Sequence, residues 1–372
     1  MLSQNEMLIV SKYFDTIIDY INLTKCCTEY NEILNNYRYN PIPLNSKNYK
    51  FFPNIQTYHI YDRKYFKDFD KYNKINRIIW FPIKYNKRLT TMNIKHNCKN
   101  IILPKNYTYK HGTSDIDYSL HIVEFADDCF FRCQDLEEMI IPNSVTKLGI
   151  SCFAECLDLK DVVIPESITK INNYCFGGCE KLTNIVLPST LKKIGKYCFN
   201  ECENLKNIIL PNEITKIGES CFEHCENLRN INIPNSVIDI GESCFEECIN
   251  LTNIKLSSNL KELGANVFIN CEKLESITLP ESITKIKCSC FEGCDNLTNI
   301  KLYSNLKELG ESCFRGCSNL KEIVLPGGIT KINSDCFERC STSTNIKLPA
   351  DLEIVNKKCF EECENLKNII IC

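Results

Sequence analysis

Eleven phenylalanines, Phe130, Phe153, Phe176, Phe199, Phe222, Phe245, Phe268, Phe291, Phe314, Phe337 and Phe360, recur at every twenty-third position without a slip. A fixed period of this length, sustained from Phe130 to Phe360, is the mark of a stacked repeat. Each unit is then one turn of a solenoid and cannot bury its apolar face without neighbours.

One unit shows the logic. Leu205, Ile208, Leu210 and Pro211 form L-x-x-I-x-L-P, an alternating run that suits a short strand with Ile208 and Leu210 facing inward. Pro211 has no N–H to give to a ladder and turns the chain. Ile214 and Ile217 return to the core. Gly218 follows, at a position held by Gly or Asn in nine of the ten units between Val145 and Val355, and a left-handed corner is expected there; Lys287 is the exception. Cys221, Phe222, Cys225 and Leu228 then fall at spacings of one, three and three, which read as one face of a short helix. The expected fold is an α/β solenoid of strand, turn and short helix, with rungs about 4.7–4.9 Å apart.

The pattern I-x-L-P-x-x-I-x-x-I-G-x-x-C-F-x-x-C-x-x-L, carried by residues 119–372, closely resembles the BspA-like leucine-rich repeat, with Cys where that family usually has Ala before the Phe. The resemblance implies a right-handed leucine-rich-repeat array that binds protein. Members of that family occur in bacteria and parasitic protists, where some look like cell-surface adhesins or antigens.

Ahead of the regular array, residues 1–50 are read as a helical N-terminal cap. Leu8, Ile9, Tyr13, Phe14, Ile17, Ile18 and Ile21, then Tyr30, Ile33 and Leu34, are spaced as two amphipathic helices joined near Leu23–Cys27. The helix-break-helix pattern of residues 7–34 resembles, without its expected Leu-Pro start, an F-box, the motif that docks on a ubiquitin-ligase scaffold. Residues 51–118 are read as degenerate capping repeats. Ile55–Ile60, Ile78–Pro82 and Ile101–Pro104 still look like rung strands, and 105–118 is a polar loop.

Of 26 cysteines, 21 sit in the repeat: eleven second-position thiols from Cys133 to Cys363, and ten first-position thiols with Val267 replacing the eleventh. They are expected to be small buried hydrophobes, since Val fits a packing slot and cannot serve as a thiol. No disulfide is expected in a chain without an export signal. No metal is expected either: C-x3-C is not the usual ligand pair, and the five histidines follow no ligand pattern.

The net charge of -3 divides into 18 basic against 13 acidic residues up to residue 128 and 26 against 34 beyond it, which gives no drive toward nucleic acid. No apolar run reaches the roughly 18 residues of a membrane span. The first residues show no secretory signal, so a cytoplasmic location is expected, with the cell surface by unconventional export as the alternative. No nucleotide-binding, hydrolase or metalloprotease motif is present, and neither enzyme activity nor a cofactor is expected.

The outward strand position reads Ile140, Val163, Val186, Ile209, Asn232 and Lys255 over six successive rungs. Contiguous exposed apolar side chains mark interaction surfaces, although strand propensity alone also favours β-branched residues. These six are the candidate partner-binding residues for a protein. Asn184, Asn207, Asn230, Asn253, Asn299, Asn345 and Asn368 flank them in a column expected to be structural. The apolar strand Ile369–Ile371 has no polar cap, and an end-to-end homodimer through it is expected. Three functions stand: an intracellular interaction scaffold, a surface adhesin or antigen, and a ligase substrate adaptor.

Overall fold

The computed structural model describes residues 14, 17–26, 37, 42, 51–52, 55, 57–60, 76–79, 83–84, 101–104, 121–341, 345–356, 358–364, 366 and 368–371. The chain divides into two compact units, Met1–Leu103 with Asp117–Val123, and Pro104–Ile116 with Glu124–Cys372.

In the first unit a single helix is described, Ile17–Cys26. Its Tyr20 is fully buried and meets Phe14, Phe52 and Tyr37 edge-on at 5.2, 5.5 and 5.9 Å. The expected helical cap is corrected here. The helix runs through Leu23–Cys26, where a joint was expected, because its buried face packs on rings far along the chain. The second expected helix lies outside the described residues, as does the polar segment 105–118. Thr57–Ile60 pairs in parallel with Asn76–Ile79, and Ile83–Lys84 with Ile101–Leu103.

The second unit is the solenoid. Each turn holds a front strand before its Pro position and a two-residue rear strand after it. Front strands run from Glu138–Ile140 to Asn368–Ile371 and rear strands from Lys147–Leu148 to Ile354–Val355. Neighbours pair in parallel, each strand offset from the last by one full repeat. The front ladder is segmented. Asn184–Val186 pairs back to Asp161–Val163, while residues 207–209 form only an isolated bridge from Asn207 to Asn230. At that junction Ile185 and Leu187 are half-buried, whereas their equivalents Val162 and Ile164 are buried.

The short helix of each unit is not formed. Residues such as Cys221–Cys225 make two successive turns instead. Alternate N–H groups close a local turn, as from Cys225 to the Phe222 carbonyl at 3.1 Å, or reach the next rung, as from Phe222 to the Cys244 carbonyl at 2.9 Å. A helix would keep all of these bonds within the unit. The turns place left-handed residues just before the Cys-Phe pair in all but the last repeat, and just before the second Cys, as at Ser220 and His224 with φ of 50° and 55°. The apolar spacing is the same in both geometries, and rung-to-rung bonding decides between them.

The expected left-handed corner at Gly218 is also corrected: none of Gly149, Gly195, Gly218, Gly241, Gly264 and Gly310 has a positive φ. Close approach of backbones is the reason for glycine. A Cβ on Gly218 would stand 2.4 Å from the Gly195 carbonyl carbon and 2.5 Å from the Lys196 nitrogen. Two of the asparagines in this column bond the preceding rung through their amides, Asn172 to the Leu148 carbonyl at 2.6 Å and Asn333 to that of Leu309 at 2.7 Å. Gly218→Val should therefore cost about 1–3 kcal/mol of overpacking. Gly264→Val, whose Cβ meets nothing nearer than Glu242 at 3.3 Å, should cost less, and paired thermal melts check the difference.

Candidate functional site: the front strand face

The interior fixes this face. Rings from Phe130 to Phe360 form one continuous stack, with centroids 4.9 Å apart at Phe130–Phe153 and 5.7 Å at Phe337–Phe360. Separations longer than the strand spacing of about 4.8 Å mean that the rings slide past one another, the favourable offset arrangement. The described repeat thiols flank this stack and are free and buried, except the half-buried Cys363.

The second-position thiols do more than fill space. From Cys156 onward each donates to the Phe carbonyl of the preceding rung, as Cys225 to Phe199 at 3.1 Å, Cys248 to Phe222 at 3.1 Å and Cys317 to Phe291 at 3.2 Å. This bond accounts for the contrast between the columns. Val267 sits fully buried in a first-position slot, while every second position remains Cys. Sequence reasoning took both columns as plain hydrophobes; the unbroken second column was the signal it missed.

Burial raises these thiols, Cys156 to about 12 and Cys175, Cys202 and Cys248 well above the ordinary range. An unfolded thiol titrates near 8.5. The folded state thus keeps protons that the unfolded chain gives up, and its stability falls as pH climbs from about 8.5 toward 12. Denaturation midpoints should be flat from pH 6 to 8 and drop steeply above pH 9, and urea melts across that range check it.

With the interior locked in register, every other side chain of the front strand points outward. The structure exposes all six candidates. Ile140, Val163, Val186 and Ile209 are 69%, 42%, 57% and 87% exposed, and Asn232 and Lys255 are exposed too. It gathers only half of them. Ile209, Asn232 and Lys255 line an open depression of about 540 Å³ together with Asn207, Asn212, Asn230 and Asn235. Ile140, Val163 and Val186 stand on the earlier rungs, outside that lining. A second depression of about 360 Å³ continues along the face past Asn253, Ser276 and Thr278.

The flanking asparagines bond along the axis in places: Asn253 donates to Asn230 at 3.0 Å and Asn184 to Asp161 at 2.7 Å. Asn212 and Asn235, just past the Pro of their rungs, were not anticipated. Their separation by one repeat was the available signal.

Cation and carboxylate columns around the rungs neutralise one another. Lys181–Asp158 at 2.7 Å, Lys196–Glu219 at 2.6 Å and Arg339–Glu362 at 2.8 Å each join neighbouring units. Such exposed pairs contribute about 0–1 kcal/mol each. Among the described residues no cluster of side chains could hold a metal ion, and no helix is long and apolar enough to cross a membrane.

The BspA-type leucine-rich-repeat family model matches residues 54–183, 169–294 and 261–372, in six copies. The chain belongs to the BspA-type leucine-rich-repeat family. Among solved structures, this family member is similar to a leucine-rich-repeat protein of Bacteroides ovatus, at 28% identity over 85% of this chain and 76% of that one, with a TM-score of 0.63. It also matches a leucine-rich cell surface protein of Faecalibacterium prausnitzii, at 23% identity over 85% of this chain and 83% of that one, with a TM-score of 0.47. A comparison with curated protein sequences finds no match. The array is thus a leucine-rich-repeat solenoid with one repeat to each coil, and tight turns stand where a helix was expected.

Proposed function

We propose that this BspA-type protein is a non-catalytic scaffold that engages a protein partner through its front strand face. The observation that carries the reading is the run of four exposed β-branched residues, Ile140, Val163, Val186 and Ile209, leading into the amide-lined depression. An apolar stripe beside adaptable polar groups is the usual make-up of an interface core and its rim. The rigid register beneath it means that the face is preorganised and loses little side-chain freedom on binding. Val163→Lys with Val186→Lys should weaken capture of proximity-labelled partners at least about tenfold, or about 1.4 kcal/mol, without lowering the melting temperature. Unchanged capture by the folded variant would overturn the reading.

The strand Asn368–Ile371 supports a further partner, a second copy of the chain. Among the described residues it pairs only with Asn345–Leu348, and its Ile369 and Ile371 are 48% and 71% exposed. Light scattering at high micromolar concentration should then report dimers, and a strict monomer excludes them. The scaffold reading carries a cytoplasmic location with it. An adhesin or antigen role rests on family membership, and a ligase-adaptor role on residues 7–34, of which only Phe14 and Ile17–Cys26 are described. Antibody staining of intact against permeabilised cells separates surface from interior.

A further inference from the structure

Among the described residues the rear ladder lapses at three junctions, after Lys147–Leu148, after Asp239–Ile240 and after Glu308–Leu309. Elsewhere the corner residue ties its rung to the one before through its own N–H, as Gly195 to the Ile171 carbonyl at 2.9 Å and Gly241 to that of Ile217 at 3.0 Å. At two of the lapses the corner residue is asparagine, and its side chain stands in for that bond, Asn172 to the Leu148 carbonyl and Asn333 to that of Leu309. The third corner is Gly264. It has no side chain to do the same, and its N–H makes no bond to the Ile240 carbonyl. The backbones also stand further apart there. A Cβ on Gly264 would meet nothing nearer than 3.3 Å, against 2.2 Å on Gly241 and 2.3 Å on Gly310.

Lys287, the one corner residue between Val145 and Val355 that is neither Gly nor Asn, crosses this gap. It is fixed on the far side by its own N–H, which bonds the Leu263 carbonyl at 3.0 Å, and by the pairing of Lys285–Ile286 with Glu262–Leu263. Its ammonium lies 3.3 Å from Glu262 on that side and 3.5 Å from Glu242 on the other. The side chain thus reaches back over an entire rung. The junction is closed elsewhere: Asn230–Asn232 pairs with Asn253–Lys255 on the front, Ser257 donates to the Val237 carbonyl at 2.6 Å, and Ser243 to that of Ala265 at 2.9 Å. The front pair carries Asn232 and Lys255 of the depression, so any opening of the rear turns on strands directly beneath it.

We propose that Lys287 is an ionic strap that holds shut the rear of the junction between Gly241 and Gly264, with the front strands as its pivot. An ordinary pair between neighbouring rungs, such as Lys285–Glu308, adds to a rear ladder that is already bonded. Here that ladder is missing, so opening the rear breaks no strand hydrogen bond and a small ionic contribution decides how often it happens. The length of the side chain matters as well. Neither Gly nor Asn at the corner could reach Glu242, two rungs back. The strap is exposed, with side-chain exposures of 33% for Lys287 and 57% for Glu242, and dissolved salt therefore screens it. Ionic strength is then the variable that loosens this one junction while its neighbours, held by backbone bonds, stay closed.

Hydrogen exchange of the full chain, read at single amides, tests this. Ser243 reports on the strapped junction. Ser220, bonded to the Glu242 carbonyl at 2.9 Å, reports on the preceding one, where the rear strands pair. Lys287→Met keeps the stem and removes the charge; it should raise the ratio of Ser243 to Ser220 exchange at least about threefold. Lys285→Met, one strand position away, should leave that ratio unchanged. Raising sodium chloride from about 0.05 to about 1 M should raise the ratio in the native chain and have no further effect in Lys287→Met. An unchanged ratio in Lys287→Met, an equal rise in Lys285→Met, a salt-independent ratio in the native chain, or salt sensitivity that persists in Lys287→Met would each overturn the proposal.

Discussion

Parallel stacking at a constant offset of one repeat places every side chain directly over its equivalent in the next unit. Like therefore lies on like through the whole array. What a unit tolerates at each position is decided by how that residue behaves against a copy of itself. Phenylalanine slides into an offset stack, and a thiol donates to the carbonyl one rung back. Glycine lets two backbones close to a distance at which a Cβ would collide. Charge is the component that self-stacks badly, and it is relieved where a column changes sign between rungs, as at Lys181–Asp158, Lys196–Glu219 and Lys285–Glu308.

The same rule explains how much of the fold was legible in the sequence. The period, the front-strand positions and the inward residues follow from spacing alone, and the structure places them as read except at residues 207–209, which form only an isolated bridge; the two-residue rear strands were not anticipated. The segment from Cys221 to Leu228 does not, because spacings of one, three and three fit a helix face and a pair of turns equally well. The choice rests on where alternate N–H groups go, a property of neighbouring units that one unit's pattern does not carry. Gly218 was placed correctly and explained wrongly, since a sequence distinguishes poorly between a glycine needed for its φ and one needed for its missing Cβ.

The exposed apolar stripe was legible for a different reason. Outward strand positions are free of packing demands, so four successive apolar residues, Ile140, Val163, Val186 and Ile209, stood out ahead of the polar Asn232 and Lys255. The depression around Asn207, Asn212, Asn230 and Asn235 was not legible. It depends on the side-by-side placement of a strand residue and a post-proline residue from adjacent rungs. The front and rear faces differ in kind: one offers apolar surface and amides, the other charge, on opposite sides of one shared interior.

The lapse in the front ladder between Asn184–Val186 and residues 207–209 has a mechanical side. A solenoid pulled along its axis is loaded through every rung in series, and each junction bears the tension through its own hydrogen bonds. At this junction the rear strands still pair, Lys193–Ile194 with Lys216–Ile217, and the turns still bond, as from Phe199 to Cys221, but the front strands add no ladder pairing of their own. A second lapse of the same kind separates Asn253–Lys255 from Ser276–Thr278, where the rear strands again stay paired. Under tension the array would yield at these two junctions, hinging open on its rear side like a spring with two weakened coils, and the Asn-lined rungs between them would move as a block.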